Sequence, residues 1–455
     1  MTSVLSAAQP LSALPASLSR AVLSAMFLSG MVMLSACTDK ELILPGERES
    51  ILLNQSQIQT SDDAQSEGAG LGDMVLNESA GHPGIDSGHA GGHLALELPL
   101  RTSWSARVRP TEEDIVTLAQ PVIGNDSVYV LGADAELVSL NLEDGSERWR
   151  VQVDDAERGV YPGVAGGLAL SGEVLAVHAA RGELALFDAI SGGLLWSVSH
   201  EAPLQGGPTF IDSRAVIVSD LEGQLYTYDI RDGTLIWDNA GLPVSTVVFG
   251  SASPAVAGGE VVIAGSGGEL SAHTLSDGGL LWADSLASLA PKTPLEDLSD
   301  ILAHPVHDGQ NIIVASQSGR MASFQASTGI LNWEQPLSVT TLPWKAGDSL
   351  FAVSVDGHLS ALRLSDGVVR GQVALDGAVT SAVVAGDDLP RYLAPFVAAG
   401  QVHVPSASGR LYHFNADTGA ELGSTSLGRE LMTPPQIAQG ALVVVLSNGS
   451  VKLLR

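Results

Sequence analysis

The chain has little of several things, and each scarcity excludes a class of answer. Among its 455 residues there is one cysteine. A single thiol permits no internal disulfide, no four-cysteine zinc cluster and no redox mechanism built on a cysteine pair. Cationic side chains are also scarce, with 22 Lys and Arg against 51 Asp and Glu and a formal charge of -29. Nucleic-acid binding draws on lysine and arginine to release phosphate counterions, so DNA and RNA are excluded as partners. Aromatic residues make up 5% and charged residues 16%, and beyond residue 36 no apolar run is long enough to cross a bilayer. What the chain has in excess is glycine, 50 residues, well above the usual share of about 7%. This mixture points to many short strands joined by many turns, and to a search for repeats before any count of domains.

The first 36 residues contain no acid and one base, Arg20, followed by an apolar run from Ala21 to Ala36. Such a segment has the make-up of a signal peptide. It ends in Leu34-Ser35-Ala36-Cys37, which resembles the cleavage site of bacterial lipoproteins. That resemblance implies that Cys37 becomes the lipidated N-terminus of the mature chain, held by more than one acyl chain and therefore firmly. Thr38 after the cysteine is similar to the signals that send lipoproteins to the outer membrane. Residues 37–93 lack sustained periodicity and are rich in Ser, Gln, Gly and Asp, so they are expected to form a flexible tether. His82, His89 and His93 lie in its glycine-rich end and are candidate metal ligands only in residue type.

From residue 94 onward one motif recurs. Segments of constant length run from Ala135 to Trp149, Gly182 to Trp196, Gly223 to Trp237, Gly268 to Trp282, Gly319 to Trp333, Gly357 to Gly371 and Gly409 to Gly423. Inside every copy a second glycine stands at one fixed place: Gly145, Gly192, Gly233, Gly278, Gly329, Gly367 and Gly419. An eighth start lies at Gly449, which gives a mean period of about 45 residues. The first glycine suits a tight turn in which a left-handed backbone is free of a Cβ penalty. Alternation such as Leu225-Tyr226-Thr227-Tyr228 marks a strand, and the second turn, such as Asp232-Gly233, reverses the chain into a short strand that ends at tryptophan. Further strands precede each copy, as at Ala215–Val218 and Leu442–Val445, after proline-containing approaches such as Gly207-Pro208 and His304-Pro305. Four antiparallel strands per unit, repeated radially, make an all-β propeller whose tryptophans wedge between blades.

The last repeat stops at Arg455 without its outer strand. The stretch Leu98–Val108, which carries Trp104, is expected to supply it and close a ring of eight blades, with residues 94–455 forming the propeller. The structural tryptophans are then Trp104, Trp149, Trp196, Trp237, Trp282 and Trp333.

The repeat Gly-x-Leu-x-Ala-Leu-Asp-x-x-(Ser/Thr)-Gly-x-x-x-Trp resembles that of the quinoprotein propellers, built on pyrroloquinoline-quinone-type repeats. With its lipoprotein signal, eight blades and C-terminal closure, the whole chain is similar to the BamB lipoproteins of the outer-membrane β-barrel assembly (BAM) machinery. The motif Ile43-Leu44-Pro45-Gly46-Glu47-Arg48 looks like that of alphaproteobacterial members. The resemblance implies a non-catalytic scaffold without cofactor, monomeric within its complex, at the periplasmic face of the outer membrane, that binds a POTRA domain of the barrel-forming subunit BamA. It further implies two contact loops. The first corresponds to Thr246–Pro254, with Val248 retained as an apolar contact and Phe249 in place of an arginine. The second corresponds to Leu298–Val306, with Asp300 retained and Leu302 in place of a second acid. Loss of two charged groups makes such a contact more apolar.

Two other readings stay open at this stage. Quinoprotein dehydrogenases share the repeat and hold a quinone and Ca²⁺ in the central channel, often over a disulfide that Cys37 cannot form. Some other envelope ligand is the third possibility. No serine has a nucleophile setting. His304 and His307 are spaced to face opposite sides of a strand, and Asp154-Asp155 and Asp387-Asp388 have the make-up of solvated turns.

Overall fold

The structure is a computed structural model, and it describes residues 58, 60–108, 119–132, 135–153, 166–179, 182–240, 252–265, 267–287, 301–376 and 391–455. Its strands form eight four-stranded antiparallel sheets, each in simple up-and-down order from an inner to an outer strand. Blade 3 is representative. Its strands are Leu204–Ile211, Ala215–Asp220, Gln224–Asp229 and Leu235–Ala240. The first three are rich in β-branched and aromatic residues and are buried on both faces. The outermost is exposed at its start, where Leu235 and Ile236 stand in solvent. Burial on both sides explains why the inner strands read as near-continuous apolar runs rather than as clean alternation.

Blades 1, 2, 4, 5, 6 and 7 run from Val122, Gly167, Ala255, Val306, Trp344 and Phe396 to Gln152, Ser199, Ser285, Gln335, Ala374 and Ser426. Blade 8 is split. Gln436–Ala438, Ala441–Val445 and Ser450–Leu454 come from the C-terminus, and Thr102–Arg107 adds as the outer strand, with Trp104 opposite Leu453 and Arg107 opposite Ser450. The expected closure, with Trp104 in the outer strand, is therefore present. It removes the strand edge that an open array would expose.

Antiparallel order gives the ring two unlike faces. Turns between the first and second strands and between the third and fourth lie on one, the turn face. On the other, the loop face, lie the connections from one blade's outer strand to the next blade's inner strand.

Six seams between blades are built alike. The indole of each outer-strand tryptophan lies over the turn glycine of the next blade, and its N–H donates to the carbonyl three residues before that glycine. The pairs are Trp104 with Leu142, Trp149 with Ala189, Trp196 with Ile230, Trp237 with Leu275, Trp282 with Ala326 and Trp333 with Leu364, at 2.6 to 3.1 Å. The glycine is needed twice over. At Gly278 φ is +71°, and a Cβ there would stand 2.6 Å from the Trp237 ring. In the first repeat Ala135 replaces the first turn glycine yet keeps a left-handed φ of 57°.

One expectation is corrected. Residues 60–93, assigned to a flexible tether, are folded onto the ring. Thr60 makes a parallel bridge to Val369, and Ser61 donates its N–H to the Val369 carbonyl at 3.0 Å. A one-turn helix, Asp62–Ser66, follows, with Ser61 as its cap. The chain then crosses the turn face over blades 6 and 7, tied by Glu67 to Arg363 at 2.8 Å and by the Ala69 N–H to Asp417 at 2.7 Å.

Candidate functional site

A propeller's functional ground is its central channel and the loops around it, and here the channel is lined from within by the chain itself. Each blade presents to the hub the free edge of its inner strand, a row of backbone groups that require partners. Residues 77–97 supply them in one circuit. Gln439 of blade 8 donates to the Asn77 carbonyl at 2.8 Å. Ala80 pairs with Ile123 of blade 1 through bonds of 2.8 and 2.9 Å, and Leu170 of blade 2 donates to Gly81 at 2.9 Å. In blade 3 the Phe210 N–H donates to His82 Nε2 at 3.1 Å. Val256 of blade 4 and His307 of blade 5 donate to Ser87 and Gly88, both at 2.7 Å, and Gly92 donates to Lys345 of blade 6 at 2.8 Å. Leu94 exchanges bonds with Val397 and Ala399 of blade 7 at 3.0 and 2.9 Å, before the chain passes blade 8 again and enters its outer strand.

Composition now has a cause. A Cβ at Gly81 would lie 2.2 Å from the Leu170 carbonyl oxygen, and one at Gly88 would lie 2.3 Å from that of His307. Only glycine lets the backbone come so near an inner strand. The histidines act as hydrogen-bonding linings. His89 Nδ1 contacts the Pro305 carbonyl at 2.9 Å, His93 bridges the Gly72 carbonyl and the Gly400 N–H at 3.0 and 2.9 Å, and the His89 and His304 rings stand 5.2 Å apart. Burial strips hydration from His82, His89 and His304 and pushes them down to about 3, 4 and 3, so they are neutral at neutral pH. No group of three or more potential ligands converges among the described residues. His304 accepts the Ser253 N–H at 2.9 Å, while His307 lies 3.8 Å from Glu260, so the two histidines serve different neighbours.

At the loop face the hub opens into a cavity of about 150 Å³. Gly84 and Trp344 form part of its wall together with Leu302, Leu342, Phe396 and Pro435. Leu302, expected as a partner contact, is thus partly buried at this mouth. Val248, Phe249 and Asp300 lie outside the described residues, as do Cys37, Asp154, Asp155, Asp387 and Asp388. The described strand ends flanking the two expected contact loops, Ala240 and Ala255 for the first and Ser285 and Val306 for the second, are all at the loop face. The six tryptophans named from the repeat are brought not to one place but to successive seams. Sequence reasoning missed the hub segment, whose only signal was the recurrence of glycine at Gly81, Gly84, Gly88 and Gly91.

A family described as "Outer membrane protein assembly factor BamB" matches residues 85–161 and 156–373, more than half of the chain. The chain belongs to the BamB family. Among curated relatives, a BamB of Nitrosomonas eutropha is 25% identical over 245 residues, which are 54% of this chain and 57% of that protein, so a little over half of its length is spanned. A BamB of Salmonella typhimurium is 23% identical over 355 residues, 77% of this chain and 87% of the relative. The crystal structure of BamB from Moraxella catarrhalis superposes with a TM-score of 0.63 at 21% identity, covering 78% of this chain and 99% of that one. Quinohemoprotein alcohol dehydrogenase from Comamonas testosteroni superposes with a TM-score of 0.64 at 12% identity, over 86% of this chain and 84% of its own. These structural likenesses describe the shared ring and carry no chemistry with them.

Proposed function

We propose that the chain is a lipid-anchored, non-catalytic scaffold of the outer-membrane barrel assembly complex, which binds a POTRA domain of BamA through its loop face. The observation that carries the reading is the BamB family match across residues 85–373. The hub supports it. Where the dehydrogenases of the same fold hold their quinone, this ring places its own chain in bonds to all eight inner strands, through backbone groups at seven and the His82 ring at blade 3, and a cofactor would have to displace them.

In this reading Cys37 carries the lipid and the ring lies at the periplasmic face of the outer membrane, one copy per complex. Val248, Phe249, Asp300 and Leu302 contact BamA. With Phe249 and Leu302 replacing charged groups, the contact is apolar at its centre and changes little with salt. Acidic surfaces elsewhere keep the ring soluble and away from phosphate polymers.

Affinity isolation of the tagged chain from solubilised envelopes tests the assignment. BamA is expected in the isolate, and its absence would sink the reading. Phe249→Ala with Asp300→Ala should weaken capture and leave the unfolding midpoint nearly unchanged. Cys37→Ala should release the protein from the membrane fraction. The dehydrogenase alternative requires purified protein to bind pyrroloquinoline quinone and to reduce a dye in a Ca²⁺-dependent way.

A further inference from the structure

Among the described residues one Lys or Arg is buried, Arg370 in the outer strand of blade 6, at 8% exposure. A charge taken out of water needs a counter-charge or a full set of hydrogen bonds. Arg370 has neither. Arg150, Arg320 and Arg363, all less buried, each hold a carboxylate at 2.8 Å. Glu67, in the segment that crosses the turn face, and Asp366, in the turn before Arg370, both pair with Arg363 instead. Among the described residues the Arg370 guanidinium donates through Nη1 alone, to the Ala69 carbonyl at 2.9 Å and to the Ser349 hydroxyl. Its Nε has no partner.

Arg370 lines a cavity of about 70 Å³ between blades 6 and 7, bounded above by Gln65, Gly68 and Ala69 of the crossing segment. At about 30 Å³ per water the space holds roughly two water molecules, which is room for one carboxylate group. Gly371 helps to keep it open, since a Cβ there would meet nothing within 4 Å. Asn415 also lines it. Its Oδ1 is taken by the Asp417 and Thr418 N–H groups, which leaves its Nδ2 as a second donor. Asp417, the one acid of the wall, is exposed and accepts the Ala69 N–H at 2.7 Å. Water screens an exposed charge far more than a buried one, so the guanidinium sets the sign of the site.

We propose that this cavity binds the carboxylate group of a small organic acid as the counter-ion of Arg370. The Nε and Nη2 edge of a guanidinium presents two parallel N–H groups at the spacing of the two carboxylate oxygens, and that is the edge Arg370 leaves unbonded. The volume takes the head group with a substituent no larger than a methyl, and a longer one leads out past Gln65. The ligand would also fasten the crossing segment, because the guanidinium that receives it holds the Ala69 carbonyl. None of this depends on the barrel-assembly reading.

The probe is carbon-13 formate, followed by carbon NMR as the purified, detergent-solubilised chain is added in chloride buffer of constant ionic strength. Saturable line broadening with one site per chain is expected, and acetate should compete for it. Arg370→Met removes the charge and keeps the length, and should weaken formate binding at least tenfold. Should that variant fail to fold, Gly371→Leu fills the cavity with the guanidinium in place and should weaken binding as much. Absence of saturable broadening with the native chain, or equal binding by the folded variants, would overturn the proposal and leave the cavity to water. So would displacement of formate by inorganic phosphate at lower concentration than by acetate, since the site would then select charge and not the carboxylate fork.

Discussion

The seam geometry makes a prediction in which two substitutions must interact. Trp237 is 7% exposed, lies over Gly278 and donates to the Leu275 carbonyl at 3.0 Å. Removing such a ring by Trp237→Ala should cost about 3–5 kcal/mol of unfolding free energy, from lost burial and the cavity left behind. Gly278→Ala has two separable costs. Its φ of +71° imposes about 1–2 kcal/mol on any residue with a Cβ, and the new methyl, 2.6 Å from the ring, adds overpacking of about 1–3 kcal/mol. In the Trp237→Ala background the second cost vanishes and the first remains. The double variant should therefore be more stable than the sum of the singles by about 1–3 kcal/mol. Urea unfolding followed by far-ultraviolet circular dichroism reads this without relying on the altered indole. If Gly278→Ala costs the same in both backgrounds to within about 0.5 kcal/mol, the usual limit of additivity, the glycine serves its turn alone and the seam argument fails.

Acid should loosen the ring. His82, His89, His178 and His403 are buried and held by loss of hydration at about 3, 4, 4 and 3, so below pH 6.5 the unfolded chain binds more protons than the folded one. Stability is complete above pH 6.5 and falls as pH drops toward 4. Between pH 6.5 and 5 each histidine withdraws up to roughly 2 kcal/mol, and urea midpoints that do not fall over that interval would contradict their burial. Deleting residues 58–97 should speed amide hydrogen exchange selectively at Ile123, Leu170, Val256, His307 and Ala399, whose N–H groups donate to the hub segment. Gly88→Ala should disturb the same set of amides, because its methyl cannot share space with the His307 carbonyl.

The parts of the fold that could be read in advance are those set by local geometry. A left-handed turn needs glycine wherever it recurs, and an outer strand needs its tryptophan at a fixed distance from that turn, so blade number, strand order and ring closure at Trp104 followed from spacing. The hub segment obeys no local rule. Its partners lie far along the chain and belong to a different blade at each step. Its glycines answer to carbonyls such as that of Leu170, which come near only once the ring is closed. Gly-rich, aperiodic sequence of this kind looks like a disordered tether whenever the surface it lines is out of view. The candidate site divides in the same way. Leu302 was found through a family pattern, and its place on the wall of the hub cavity required the neighbouring blades. At Gly371 and Gly423 the repeat departs from tryptophan, and at the first of these seams Val373 lies over the turn glycine Gly419, where six other seams have an indole. In a repeat protein the regular positions report on the shared seam, and a departure such as Gly371 shows which neighbouring side chain takes the ring's place.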